Sequence, residues 1–226
     1  MQLLLVHSPA TGPAPWNWVA ACLTDAGNEV VLPNLTPAAE SGDPVRFAQM
    51  AAAAVSFDGS VVICGHSGAG PLLPLVAAQL ARPPELVAFI DAGLPPCSGS
   101  FVPDQEFLVT LKGLAHHGVL PPWSQWWGDD VLEALVSDPE RRSVVAARLP
   151  RVPLQFYEQR VLMPPDWCDL HCGYILSSDA YRNDAQRAAA HGWPVREHLG
   201  QHLDIVNEPE RYAQLVTSLV EDTTRN

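Results

Sequence analysis

Short, unbroken runs of apolar residues recur along this chain, and stretches with apolar residues at helical spacing lie between most of them. Runs of this length without polar alternation are typical of strands that are buried on both faces of a parallel sheet. Six such strands are predicted, at residues 3–7, 29–33, 60–65, 85–91, 172–178 and 195–199. The alternation of strands with helices predicts an α/β fold, with about six parallel strands and helices on both faces of the sheet.

The final helix has the clearest helical pattern, an apolar stripe over residues 212–219. Asn207 is predicted to be its N-cap, because Glu210 follows three residues later, as in a capping box.

The alternation stops over residues 94–169, where proline and aromatic residues are frequent and no separate strand pattern is visible. We therefore expect a core of residues 1–93 and 170–226 with an inserted, mainly helical cap at 94–169. At least one tryptophan of the cap is expected to line a substrate pocket, with Trp123 and Trp127 as the candidates. Packing of the cap onto the core is the alternative role for Trp123, Trp126 and Trp127.

The charge balance of the chain excludes one class of partner. Thirteen Lys and Arg residues stand against 25 Asp and Glu residues, giving a net charge of −12 and a pI near 4.9, so no basic surplus is available to neutralise phosphates. The apolar run at the N-terminus is too short for a signal peptide or a membrane span. We expect the partner to be a small-molecule substrate and expect binding to neither nucleic acid nor a membrane. The sequence leaves open whether the chain forms a homodimer.

Five cysteines are scattered along the chain, and an odd, scattered set indicates reduced thiols in a cytoplasmic protein. The run Cys-Asp-Leu-His-Cys at 168–172 could suggest a metal, but a structural zinc site needs four ligands and no second cluster is present. We therefore predict no metal and no cofactor.

The run Gly-His-Ser-Gly-Ala-Gly at residues 65–70 follows the third predicted strand. A nucleophilic serine on a sharp strand-to-helix turn needs small residues two positions before and after it, because strand and helix nearly touch there. Gly65 and Ala69 meet this requirement around Ser67. The alternatives are a plain turn and a phosphate-binding loop, and the second lacks the lysine of that motif. Ser67 is therefore predicted to be a nucleophile, with the Gly68 N–H in its oxyanion hole.

The partners of such a serine follow it in the order acid, then histidine. His202 follows the sixth strand and precedes the final helix, which makes it the predicted base. His198 competes with it but lies within the strand. The acid is predicted at Asp179, directly after the fifth strand, with Asp184 as the second choice. A Ser–His dyad without a close acid also stays open.

Four stretches resemble those of one known superfamily: residues 3–9, 15–35, 64–70 and 200–210. In them the chain resembles the α/β-hydrolase superfamily, and most of all its small plant-type methylesterase and hydroxynitrile lyase branch. The resemblance covers the core, about two-thirds of the chain, and implies the α/β-hydrolase fold. The resemblance to hydroxynitrile lyases also implies that a Ser-His-Asp set can work as a general acid–base system without acyl transfer.

One departure from the superfamily pattern lies after the first strand. In the superfamily, a His-Gly pair after the first strand is followed by a residue whose N–H completes the oxyanion hole. This chain has His7, Ser8 and then Pro9 at these positions. Proline has no N–H, and losing one such donor typically costs about 3–4 kcal/mol of transition-state stabilisation. The Ser8 hydroxyl, or an N–H of Ala10 or Thr11, could replace it, which makes Ser8 a candidate substrate-binding residue.

These residues favour a cytoplasmic serine hydrolase acting on a small, largely apolar ester, thioester or lactone. The first alternative is a lyase, dehydratase or cyclase using the same residues as general acid and base, for which the loss of the Pro9 donor matters less. The second is a non-catalytic small-molecule receptor, which only Pro9 supports.

Overall fold

The structure is a computed structural model, which describes residues 1–56, 59–128 and 131–224. Its strands are β1 (Gln2–Val6), β2 (Glu29–Val31), β3 (Val61–Ser67), β4 (Leu86–Ala92), β5 (Ser100–Phe101), β6 (Val161–Leu162), β7 (Cys172–Leu176) and β8 (Val195–Glu197). Six of them form one sheet in the order β2-β1-β3-β4-β7-β8, and every pairing in it is parallel. The six predicted strands and the α/β class are confirmed.

Helices cover both faces of this sheet. They are α1 (Asn17–Asp25), α2 (Thr36–Glu40), α3 (Pro44–Ala53), α4 (Leu73–Gln79), α5 (Gln105–Leu114), α6 (Val131–Leu135), α7 (Pro139–Ala146), α8 (Gln155–Glu158), α9 (Arg182–Ala190), α10 (Asp204–Asn207) and α11 (Pro209–Thr224). Alternate residues of each strand supply the two cores: Leu4 and Val6 pack with α3, α4 and α9, and Leu3 and Leu5 with α1 and α11. Each fully buried leucine stabilises the fold by roughly 2 kcal/mol.

The chain between β4 and β7 carries α5 to α8, and β5 and β6 pair there as a short antiparallel ribbon. Trp123 and Trp126 are buried there, whereas Trp127 is 52% exposed. Our division of the chain into a core and a cap stays a prediction. Among the described residues, no helix is long and apolar enough to cross a bilayer.

A disulfide joins Cys97, just after β4, to Cys168, just before β7, and their Cα atoms are 5.5 Å apart. The expectation of five reduced thiols is therefore wrong for these two, because the fold brings together cysteines 71 positions apart. Disulfides persist mainly in oxidising compartments, so the cysteines no longer argue for a cytoplasmic location. His191 lies near the bond, with Nε2 3.7 Å from Cys97 Sγ, but sulfur atoms bonded to each other offer no thiolate to a metal.

The prediction that Asn207 caps the final helix is wrong. Asn207 ends α10, and α11 begins at Pro209, whose missing N–H is not needed at the first helical position. The Asn207 side chain instead donates to the Leu135 carbonyl and accepts from the Ser137 N–H, at 2.9 and 3.1 Å. It thus ties the 131–137 segment to the end of α10.

Candidate active site

Ser67 is the last residue of β3 and has a φ of +59°, which is unusual for a residue other than glycine. The turn requires small neighbours on both sides. A Cβ on Gly65 would lie 2.5 Å from the Leu73 side chain, and one on Gly70 would lie 2.1 Å from the Gly93 carbonyl oxygen. The chain after Ser67 starts with a single 3₁₀ turn over Gly70–Leu72 before α4, so the proline-rich start is irregular without disturbing Ser67.

His202 lies beside Ser67, with its Nε2 2.9 Å from Ser67 Oγ. It sits in the tight turn between β8 and α10, where the Asp204 carboxylate accepts the Gln201 N–H at 2.6 Å. The Gly200 N–H donates to the Ser177 carbonyl at 2.7 Å, which fixes the turn to the end of β7. The competitor His198 faces elsewhere and pairs with Glu208 at 2.9 Å.

Asp91 is the carboxylate that meets His202, with Oδ2 2.7 Å from Nδ1 of the ring. The predicted contact between Asp179 and His202 is therefore wrong. Asp91 lies near the end of β4 at a β-bulge: Ser67 pairs with Ala92 while His66 pairs with Ile90, so Asp91 is the extra residue and has a φ of +42°. A bulge re-aims a side chain, and strand periodicity alone does not indicate where one occurs. One signal in the sequence could have indicated Asp91: it is an aspartate at the carboxyl end of a buried strand, next to the strand that carries Ser67.

Asp91 is completely buried, and its carboxylate accepts four hydrogen bonds. Oδ1 accepts the N–H groups of Ser177 and Ser178 at 3.0 and 2.8 Å, and Oδ2 accepts the Ser178 hydroxyl and His202 Nδ1–H, each at 2.7 Å. Burial alone would raise the pKa of Asp91, but the hydrogen bonds from His202 and Ser178 and the charge of His202 outweigh it. The net effect lowers the pKa of Asp91, so the carboxylate is ionised and holds the proton of His202 on Nδ1.

The two acids chosen from the sequence lie apart from His202. The side chain of Asp179 is 87% exposed and pairs with Arg182 at 2.5 Å. Asp184 accepts from the Leu94 N–H and from Arg187, at 2.9 and 3.1 Å, and burial raises its pKa. It anchors the chain where it leaves β4.

His66, the residue before Ser67 in β3, packs against His202. Its ring stacks on the His202 ring with centroids 4.6 Å apart, and its Nε2–H donates to the His202 carbonyl at 3.0 Å. Burial, followed by the charge of His202, lowers the pKa of His66 to about 3, so this ring is neutral and does not act as a second base at neutral pH.

The loop after β1 places Ser8 beside Gly68, since a Cβ on Gly68 would lie 3.0 Å from Ser8 Oγ. The other donors of this loop are engaged: Ala10 N–H donates to Ser8 Oγ at 3.4 Å and Thr11 N–H to the Ser8 carbonyl at 3.3 Å. His7 Nδ1–H also donates to that carbonyl, at 2.8 Å. Of the replacements considered for the missing Pro9 N–H, the Ser8 hydroxyl is the one whose proton can point at a bound oxygen.

A cavity of about 680 Å³ opens onto Ser67 and His202. Its walls include Ser8, Gly68 and Trp123, as well as the half-exposed Trp127. The remaining aromatic side chains of its wall are Phe101, Phe107, Trp126, Phe156, Tyr157 and Tyr181. An aromatic wall of this size suits an apolar molecule with a few polar atoms directed at the serine.

Lowering the pH from 6 to 5 is expected to reduce the free energy of unfolding by about 2 kcal/mol. Burial lowers the pKa of His7 to about 4 and that of His66 to about 3, against 6.5 in the unfolded chain. The unfolded state therefore binds more protons below pH 6.5, and stability falls with the pH until the folded-state pKa values are reached. Urea unfolding at pH 7, 6 and 5 measures this, and equal stabilities would contradict it. His7→Gln should keep about half of the dependence, because His66 alone then contributes.

No family model and no curated protein matches the sequence. Solved structures do match. An extracellular α/β-hydrolase from a Paenibacillus species, described as sharing structural and functional homology with tobacco salicylic acid binding protein 2, has a TM-score of 0.75 at 15% identity, over 97% of this chain and 98% of that one. Polyneuridine aldehyde esterase has a TM-score of 0.71 at 14% identity, over 96% and 98%. Tomato methylketone synthase I, crystallised with 2-tridecanone, has a TM-score of 0.76 at 10% identity, over 98% of both chains. These matches confirm the predicted α/β-hydrolase fold.

Proposed function

We propose that this chain, whose fold is that of the α/β-hydrolases, is a serine hydrolase acting on a small, largely apolar ester, thioester or lactone. The observation that carries the proposal is the hydrogen-bonded row of Ser67, His202 and Asp91 at the wall of the aromatic cavity. These three residue types in this order are the parts that nucleophilic acyl transfer requires.

In the first half of the reaction, Ser67 Oγ attacks the carbonyl carbon and its proton passes to His202 Nε2, 2.9 Å away. Asp91 stabilises the imidazolium that forms. The bond to the leaving oxygen or sulfur then breaks, and the leaving atom takes the proton from His202. In the second half, water attacks the acyl-enzyme and gives a proton to His202, the bond between the acyl carbon and Ser67 Oγ breaks, and His202 returns the proton to Oγ as the acid leaves.

The negative oxygen of the tetrahedral intermediate needs donors on the far side of the carbonyl. We assign these to the Gly68 N–H and the Ser8 hydroxyl. Ser8 lies in the cavity wall and its Oγ accepts the Ala10 N–H at 3.4 Å, which leaves the hydroxyl proton available to a bound oxygen. The Gly68 N–H is thus the backbone donor that remains, and the Ser8 hydroxyl replaces the one that Pro9 removes.

An acid–base lyase is the second candidate, and Pro9 is the observation that favours it. A reaction in which Ser67 and His202 only move protons builds less charge on a carbonyl oxygen, so a missing backbone donor costs less. The fold is shared with the tomato protein named methylketone synthase I, which makes reactions other than ester hydrolysis a reasonable comparison.

The test is labelling of the folded protein with a fluorophosphonate, followed by peptide mapping of the adduct. We expect a single adduct on Ser67, formed within minutes at micromolar probe, and none on protein unfolded in urea, because only the folded site supplies His202. Turnover is then measured on p-nitrophenyl esters of increasing acyl length, and on thioesters and lactones.

Two results would separate the candidates. A folded protein that neither labels at Ser67 nor hydrolyses any of these substrates is not an acyl-transfer enzyme. Turnover of a hydroxynitrile or a β-hydroxy carbonyl compound without labelling would establish the lyase candidate instead.

A further inference from the structure

Tyr181 is a site residue that the proposed mechanism leaves unused. It ends the 3₁₀ turn Asp179–Tyr181 that follows β7, and its hydroxyl lies 3.5 Å from Ser67 Oγ. Its ring stacks on His202, with centroids 5.3 Å apart and an interplanar angle of 24°. The phenol therefore contacts both the attacking atom and the base.

The hydroxyl of Tyr181 is a proton donor and not a base. Burial raises its pKa to about 12, so the phenol is protonated at neutral pH. Because Asp91 holds the His202 proton on Nδ1, Nε2 accepts the proton of Ser67. Ser67 Oγ then has a lone pair to accept the Tyr181 proton, which gives a row in which Tyr181 donates to Ser67 and Ser67 donates to His202.

This row breaks when Ser67 bonds to a carbonyl carbon, because Oγ becomes an ester oxygen and a poorer acceptor. The Tyr181 proton must then find another oxygen. The carbonyl oxygen is served by Gly68 and Ser8, which lie together on the loop side of the site. The leaving oxygen has to reach His202 Nε2 to be protonated. Nε2 belongs to the ring on which Tyr181 stacks, so the leaving oxygen then lies near Tyr181.

We propose that Tyr181 is a second catalytic donor, which hydrogen-bonds to the leaving oxygen as the bond between carbon and that oxygen breaks. The electron pair of the broken bond goes to the leaving oxygen, and the proton that neutralises it comes from His202 Nε2. Tyr181 keeps its own proton throughout. In the second half it holds the attacking water in the same place. This role rests on the proposed hydrolase function and makes alkyl esters, whose leaving alkoxides are strongly basic, the substrate class that the site is built to cleave.

Tyr181→Phe tests the role by comparing two esters of one acid. The ethyl ester has a poor leaving group that needs a donor, whereas p-nitrophenoxide leaves without one. We expect kcat/KM for the ethyl ester to fall about 10- to 100-fold and that for the p-nitrophenyl ester by less than about threefold. Across a series of alcohols and phenols, kcat/KM should decline more steeply with leaving-group pKa in the variant than in the wild type.

Two further variants keep the result interpretable. Tyr212→Phe removes a buried phenol hydroxyl that bonds to Ser177 Oγ rather than to a residue of the cavity wall, and should leave the ratio between the two esters unchanged. Tyr181→Leu removes the stacked ring as well, and should add a loss that is equal for both esters. Fluorophosphonate labelling of Tyr181→Phe should stay within about threefold of the wild-type rate, since fluoride needs no proton to leave.

An equal loss on both esters in Tyr181→Phe, or no loss on either, would overturn the inference while leaving the hydrolase intact, provided that Ser67 is still labelled. If wild-type Ser67 is not labelled and no ester is hydrolysed, the proposed function fails first, and the role of Tyr181 fails with it.

Discussion

Replacing Ser67 or His202 by alanine is expected to lower kcat for ester hydrolysis by about 10⁵- to 10⁶-fold. Ser67→Ala removes the atom that forms the acyl bond, and His202→Ala removes the only base within hydrogen-bonding distance of it in the described residues. The double variant should be no slower than either single variant, because the two side chains act in one step. Initial rates with a p-nitrophenyl ester, under conditions where wild-type contamination is excluded, measure the effect.

His198→Ala is the matched control for His202→Ala. His198 lies four residues away, carries the same ring, and makes its hydrogen bond with Glu208 rather than with Ser67. We expect its kcat to stay within about threefold of the wild type. A loss in His198→Ala as large as that in His202→Ala would mean that the base has been misassigned.

Asp91→Asn is expected to lower kcat by about 10³- to 10⁴-fold without unfolding the protein. Asparagine can still accept the N–H groups of Ser177 and Ser178 with its carbonyl oxygen, but its amide donates toward His202 Nδ1. The ring then keeps its proton on Nε2, where it can no longer accept the proton of Ser67. The same kinetic assay measures the loss, and nitrogen NMR of the imidazole reports the tautomer directly.

Asp179→Asn is the control, since it makes the same chemical change at the acid that the sequence favoured. Its side chain is 87% exposed and pairs with Arg182, so kcat should change by less than about threefold. If Asp179→Asn were the more damaging of the two, the acid would lie outside the geometry described for Asp91.

The parts of the site that the sequence predicts are those fixed by local chain chemistry. Ser67 is marked by the close approach of strand and helix, which only small neighbours allow, and His202 by its place between the last strand and the last helices. Asp91 is different. Its role depends on a bulge in β4 and on N–H groups donated by Ser177 and Ser178 from another strand end, so no local pattern of residues indicates it.

The distinction between local patterns and contacts that only the folded chain makes also explains the other differences between the sequence predictions and the structure. The four inner strands β1, β3, β4 and β7 are predicted because their apolar runs report burial directly, whereas the edge strands β2 and β8 are partly exposed. The Cys97–Cys168 bond joins positions that only the folded chain brings together, and Asn207 is occupied by the 131–137 segment rather than by the helix that follows it. In the sequence, nothing distinguishes Tyr181 from an ordinary loop residue, and only the folded chain stacks its ring on His202.

The disulfide between Cys97 and Cys168 has a consequence for how this chain responds to cleavage. Every peptide bond from 98 to 167 lies inside the covalent ring that it closes. A protease that cuts once anywhere in this ring leaves a molecule of unchanged mass, apart from one added water. The strands that carry Ser67 and Asp91 then stay bonded to the one that leads to His202. Such a nicked molecule separates into two pieces only after the bond is reduced, so the wall of the cavity can be opened while the chemistry beneath it remains one covalent unit.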